Sequence, residues 1–351
     1  MASSYHILVA SYSNDIYSLL FDPLTGSLTC TSSIEVGFHP SWITHYPGDT
    51  SLIFASLEQA NGKIVVLKYD NKANGTIVAE ASSGGDDPCS LLATKDQLLI
   101  ANYSSGHISV LPIAPQSPYV LEQTSTTSIA LTGAGPNKDR QLSSHPHQVY
   151  LNEEHDEVLV PDLGGDRVYR FKKAPTGTWA AQSHIAYQPG GGPRHVAYYN
   201  GTLYTLLELS STIASHRLPP QPADPSFIRT VSTMSQPPSF LNDMLAAEIL
   251  ILHPNATFPT PYIYVSNRND PSPAGDIISI FSTEAELIAE VRSGLKHLRG
   301  MAFGGPDDKW LVAGGAQGGG IKIFERVNNG KGLVEIAANN EAESPTGFLW
   351  L

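Results

Sequence analysis

Two cysteines in 351 residues, Cys30 and Cys89, are too few for a disulfide framework or a cysteine-rich metal centre. Basic residues are also scarce. The 21 Lys and Arg face 33 Asp and Glu, a net charge of −12, so there is no global positive field for nucleic acid. A few local arginines still suffice for a small anion. No apolar stretch reaches membrane-spanning length, and no helical periodicity runs long enough to define a helical core. The opening MASSYHILVAS lacks a basic n-region and an apolar h-region. With the low cysteine count, this gives the expectation of a reduced, cytoplasmic setting without a membrane partner. Asn-x-Ser/Thr triplets at Asn74, Asn102, Asn200 and Asn255 read as turn residues in a chain rich in Ser and Thr.

What the chain has in quantity is short apolar runs punctuated by 30 Gly and 26 Pro. One pattern recurs seven times: x-Pro, or a degenerate form of it, followed by four to six mostly apolar residues. The copies start at His39, Asp87, His145, Gly192, Ala246, Leu298 and Ser344. Aligned on Pro40, Pro88, Pro146, Pro193, Ala247, Arg299 and Pro345, they lie 48, 58, 47, 54, 52 and 46 residues apart. Repeats of this length, rich in short strands and turns, are the signature of radial four-stranded blades. Most copies are followed by a second apolar run, a polar turn and a third run, as in SLIFASLE then KIVVLKYD. The terminal SPTGFLWL is a leading strand with nothing after it, while YHILVASYS starts a blade that lacks one. The expected fold is therefore an all-β, seven-bladed propeller over 1–351, closed by the C-terminal strand joining the N-terminal blade. One segment, EAELIAEVR from Glu284, fits a short helix or an edge strand equally well. Two stretches exceed hairpin length, 111–143 and the proline-rich 218–239; each reads as a flap over one face or as a peripheral insertion.

In a propeller the starts of the inner strands converge on one mouth of the central channel. His39, His145, His147, Arg194, His195 and Arg299 all fall in the x-Pro strand of their repeats. Glu208 and Arg268 lie near the exit of the following strand, and an antiparallel hairpin returns that exit to the same end. Arginine supplies a planar fork for carboxylate or phosphate, and histidine an acid or base near neutrality. Glu208, in the apolar run YTLLELSS, needs a partner if buried. Structural readings compete: a lone His is usually structural, and Arg268 and Arg299 can anchor inter-blade turns. Asp162, Asp166 and Arg167 read as turn chemistry, and Gly190 to Gly192 as a crowded connection rather than a phosphate loop. His-Pro-His puts two imidazoles on one strand face but has no third ligand, so no metal and no cofactor is expected.

At these residues the chain resembles the lactonase family of seven-bladed propellers, which includes the propeller type of 6-phosphogluconolactonase and the fungal 3-carboxy-cis,cis-muconate lactonizing enzyme. The resemblance is carried by HPHQVYLNEEHDEVLVPDLGGDRVYRF, GGGPRHVAYYNGTLYTLLELSSTI, AAEILILHPN followed by YIYVSNRN, and LRGMAFGG. It implies a catalytic set of His147, Arg194, Glu208 and Arg268; His145, His195, Arg299 and His39, placed at the same mouth by the repeat, are expected to bind substrate. It departs from the family at Val312-Ala313-Gly314-Gly315 and at the Leu207-Glu208-Leu209 triplet, which leaves the substrate open. The leading expectation is a cofactor-independent lactonase acting on a sugar-type lactone. The alternatives are a cycloisomerase that forms a lactone from an unsaturated dicarboxylate, and a non-catalytic binding scaffold. The expected partner is a small anionic lactone or carboxylate, with no nucleic acid, on a monomer.

Overall fold

The computed structural model describes residues 4–121, 127–237 and 244–351. The first three residues of the opening segment, and the parts 122–126 and 238–243 of or beside the two long insertions, including Pro238, lie outside the described residues. The described residues form seven four-stranded antiparallel sheets. The inner strands are Pro40–Tyr46, Pro88–Ala93, Tyr150–Asn152, Pro193–Tyr199, Leu245–Ile251, Lys296–Gly304 and Pro345–Trp350, one for each of the seven recurring motifs. The last pairs with Tyr5–Ser11 of the first blade, with Ile7 opposite Trp350 and Val9 opposite Phe348.

The apolar patterning explains the layering. A strand buried on both faces reads as a continuous apolar run, and an outer strand alternates. Ile263–Arg268 is buried throughout, whereas Ser27–Glu35 alternates toward solvent. The core lies between blades. At the closure Ile7, Val9 and Leu19 of the first blade pack with Val312 and Ile323 of the last, and Trp310 stacks on Trp350 at 6.3 Å. EAELIAEVR resolves in favour of the edge strand, Leu287–Arg292, paired to Ile277–Phe281. Among the described residues no helix is long and apolar enough to cross a membrane.

The aspartates and glycines singled out in the sequence hold the connections between blades. Asp162 accepts hydrogen bonds from the His145 and Gly165 amides and the Ser144 hydroxyl. Asp166 accepts from the amides of Gly190 and Gly192, so those amides are engaged by a carboxylate within the chain. Gly192 has φ +67, and a Cβ there would lie 2.6 Å from Leu209, so both conformation and space require glycine. The two insertions both contain the outer strand of their blade, Thr127–Ala130 and Ser226–Ser232, which the sequence reading did not expect; beyond the first of these strands Arg140 reaches Glu208, and before the second Pro219, Gln221 and Ala223 bond to Arg170 and Glu157.

Candidate active site

A repeated backbone irregularity builds the mouth. The inner-strand ladder skips a residue between Pro40 and Trp42, Pro88 and Ser90, Pro193 and His195, and Leu298 and Gly300. It skips Ala247 and Glu248 in the sixth blade, and Thr346 in the first. An extra residue on one strand bends it and re-aims its side chain. Seven equivalent positions follow: Ser41, Cys89, His147, Arg194, Ala247, Arg299 and Thr346. Their mutual contacts show a ring. The Thr346 hydroxyl donates to the Ser41 carbonyl at 3.0 Å, the Cys89 thiol lies 3.6 Å from the His147 carbonyl, and Arg194 Nε donates to the Ala247 carbonyl at 2.8 Å. His147 differs from the sequence expectation in one respect: no ladder runs through His-Pro-His. Pro146 makes a single bridge to Asp162, and the strand proper begins at Tyr150. The two imidazoles therefore do not share one strand face; His145 stacks on Tyr103 at 4.5 Å, while His147 meets the same ring edge-on at 5.5 Å.

Glu208 sits at the centre of the charged groups. It follows the second strand of its blade and is fully buried. Its Oε2 lies 2.5 Å from Arg194 and 3.1 Å from Arg268, and its Oε1 is 2.7 Å from Arg140. Burial pushes the carboxyl up, but Arg268, Arg194 and Arg140 more than reverse this and hold it far below the usual carboxylate range. Burial, opposed by Glu208 and reinforced by Arg194, lowers Arg268 to about 10, still cationic at neutral pH. Arg194 also donates to His147 Nε2 at 2.6 Å. A guanidinium only donates, so Nε2 is an acceptor and the ring proton sits on Nδ1. Burial and then the positive charge of Arg194 drive the His147 pKa well below its ordinary value, so the imidazole is neutral.

The remaining predicted residues surround this centre. Arg299 pairs with Glu58 at 3.2 Å and lies 4.9 Å above the Tyr12 ring; burial pushes the Tyr12 hydroxyl up to about 12. His39 packs on Phe38 and against Tyr12. His145 Nδ1 contacts the Tyr103 carbonyl at 2.9 Å. His195 is buried and bonds to Glu248 at 2.7 Å. The structure thus brings His147, Arg194, Glu208 and Arg268 into direct contact, sets His145, His39 and Arg299 beside them, and places His195 behind His147. Among the described residues no group of three metal-ligating side chains occurs.

Four residues of the site escaped the sequence reading. Glu58 had a usable signal, because it ends the second run of its repeat as Glu208 and Arg268 do. Glu248 had one too, a carboxylate inside the apolar run AAEILI. Tyr12 and Arg140 had none. Arg140 arrives from the first insertion on a loop pinned by buried Gln141, which donates to the Leu163 carbonyl at 2.9 Å. With it, four guanidiniums (Arg140, Arg194, Arg268, Arg299) face three carboxylates (Glu208, Glu58, Glu248), an excess of one positive charge on a protein of net charge −12. Such a local field draws and holds an anion.

The sequence profile described as "Lactonase, 7-bladed beta-propeller" matches residues 6–350. The chain belongs to this lactonase family. Similar proteins include the 6-phosphogluconolactonase of Bacillus subtilis, 28% identical over 322 residues that cover 90% of this chain and 88% of that one. The 6-phosphogluconolactonase of Formosa agariphila is 24% identical over 328 residues, 89% of this chain and 88% of the relative. In three dimensions the lactonase chain matches the periplasmic gluconolactonase of Pseudomonas aeruginosa with a TM-score of 0.81 at 20% identity, over 99% of both chains. A Lactobacillus plantarum protein matches at 0.84 and 20% identity, over 99% of this chain and 100% of that one. At such identity the structural likeness supports the fold alone.

Proposed function

We propose that this lactonase-family protein hydrolyses a sugar-type lactone, with an anionic or strongly polar substrate seated on the arginines at the mouth. The observation that carries the reading is the Glu208 carboxylate held by three guanidiniums beside a neutral, proton-donating His147. Arg194 and Arg268 are fixed by backbone carbonyls as well as by Glu208, so their forks are oriented before substrate arrives. Oriented cations at a developing oxyanion contribute on the order of 3 kcal/mol per donor. Glu208 is engaged on both oxygens and far too acidic to accept a proton at neutral pH; it holds the arginines in place. His147 presents Nδ1–H, with no hydrogen-bond partner among the described residues, as a donor to the lactone ring oxygen. The names of the similar bacterial enzymes agree with this substrate class.

The test is proton release in a weakly buffered pH-indicator assay over gluconolactone, 6-phosphogluconolactone and aliphatic and aromatic lactones, with EDTA present and Arg194→Ala as control. Hydrolysis that survives EDTA and disappears in the variant supports the reading. Silence across the panel overturns it and directs attention to cyclisation of an unsaturated dicarboxylate, which product analysis detects.

A further inference from the structure

One chemical role at the mouth is unfilled. Hydrolysis needs a group that takes a proton from water, and neither Glu208 nor His147 can do so: both Glu208 oxygens face arginines, and the one lone pair of the His147 ring is taken by Arg194. A second imidazole stands beside the first. The ring of His195 lies 5.3 Å from that of His147, edge to face, and 5.7 Å from Trp42. Its Nδ1 is 2.7 Å from Glu248 Oε1. A carboxylate only accepts, so Nδ1 carries the ring proton and Nε2 carries a free lone pair. That Nε2 is buried and has no hydrogen-bond partner among the described residues. A buried, unsatisfied acceptor is costly and rare in a folded protein, and this one belongs to a residue only 1% exposed in a charged cluster.

Glu248 is in turn held in place. Its amide donates to the Ser266 hydroxyl oxygen at 3.0 Å, and its Oε1 accepts from the Ile249 amide at 3.1 Å. It also borders a cavity of about 300 Å³, further along the inner strands than the ring of bulge residues, with walls that include Trp42, Gln148, Met301 and Phe348. That is far more room than one water molecule requires.

We propose that His195, oriented by Glu248, is the base that activates the hydrolytic water, drawn from the cavity that Glu248 borders. This rests on the lactonase reading of the site. In the step, His195 Nε2 takes a proton as the water oxygen bonds to the lactone carbonyl carbon, and the carbonyl electron pair moves to an oxyanion facing Arg194 and Arg268. Collapse re-forms the carbonyl and breaks the bond to the ring oxygen. The imidazolium returns its proton to that oxygen while His147 Nδ1–H hydrogen-bonds to it. The carboxylic acid product then ionises into solvent, which is the proton the indicator records. A carboxylate behind Nδ1 and a lone pair at Nε2 is the arrangement by which histidine serves as base in acyl transfer.

The experiment compares wild type with Glu248→Gln and His195→Gln on whichever lactone the wild type turns over, measuring kcat and KM against pH together with melting midpoints. Glu248→Gln preserves shape and removes the negative charge. The expected result is a fall in kcat of ~10² to 10⁴-fold in His195→Gln with little change in KM. In Glu248→Gln the acid limb of the kcat profile moves to lower pH, because the imidazolium loses its counter-charge while Arg194, Arg299 and His147 still face it. Variants that fold and keep kcat within about threefold of wild type, or a rate loss without any movement of the limb, overturn the assignment of the base alone. A wild type silent on every lactone overturns the lactonase reading and the base with it.

Discussion

Two fully buried glutamates in this protein are used in opposite ways. Glu157, in the fourth blade, is gripped by Arg170 through two bonds of 2.9 and 3.0 Å and by Gln221 at 2.7 Å. Arg170 gives two further donors to the carbonyls of Pro219 and Ala223. One cation meets one anion, all three guanidinium nitrogens are bonded, and the product is an anchor for the second insertion. Glu208 meets three cations, one of them partly exposed, and a fourth arginine stands nearby with Glu58. The first pair is complete without a ligand; the second cluster carries surplus charge. Burial of a carboxylate is therefore not the sign of a site. Imbalance around it is.

The comparison can be broken at its structural end. Arg170→Ala leaves Glu157 buried without its cation, which costs about 3 to 5 kcal/mol, or roughly 10 °C in melting midpoint, while kcat/KM measured well below the transition stays at the wild-type value. A midpoint that barely moves would show the pair to be dispensable. At the other end, Arg194→Ala is expected to lower kcat/KM by ~10² to 10³ with a much smaller shift in midpoint, since removing one of several crowded cations relieves repulsion. If calorimetry finds Arg194→Ala as destabilising as Arg170→Ala, the functional contrast fails.

Arg140 sharpens the contrast. Its side chain is 34% exposed, against 3% for Arg194 and 6% for Arg268, so solvent screens it and its share is smaller. Arg140→Ala should raise KM by about tenfold, more at low salt than at high, and leave kcat nearly intact. A selective loss of kcat would instead move Arg140 into the chemistry. The smallest effect is on pH. Burial and then Arg268 and Arg299 lower His297 to about 4 from an ordinary 6.5. The unfolded chain then binds the proton more readily, so this contribution to stability is full above pH 6.5 and is lost as pH falls toward 4. Glu208, likewise depressed, contributes fully above its ordinary 4.5 and loses that contribution only at lower pH. Melting curves from pH 7 to 4 should therefore be flatter in His297→Gln than in wild type; an unchanged slope would refute the assignment.

Much of this was legible in the sequence because blade repeats carry position as well as composition. Aligning seven x-Pro motifs put His147 and Arg194 at one level but set Arg299 one residue early, in the column of Pro146 and Pro193; the ladder corrects this, because Arg299 is the residue skipped between Leu298 and Gly300 just as Arg194 is skipped between Pro193 and His195. The exit of the second strand located Glu208 and Arg268, and the same rule points to Glu58. Legibility stopped where periodicity did. EAELIAEVR was ambiguous because a six-residue strand and a short helix satisfy the same apolar spacing, and pairing to Ile277–Phe281 chose between them. His-Pro-His fits a ladder by its alternation, yet it makes one bridge, Pro146 to Asp162, and the His145 amide and Ser144 hydroxyl bond to the Asp162 side chain.

By itself the sequence determined the ring of seven blades, its closure through the last strand, and the level at which charged side chains face one another. These are local and repetitive properties, written in alternation, turn residues and spacing. Only the tertiary structure decided that Arg140 reaches Glu208 across 68 residues of chain, that Arg194 occupies the lone pair of His147, and that Glu248 leaves His195 with one to offer. Each of these depends on which atoms meet after folding, and the protonation of a buried ring is set by those neighbours and not by the residue's own place in the chain.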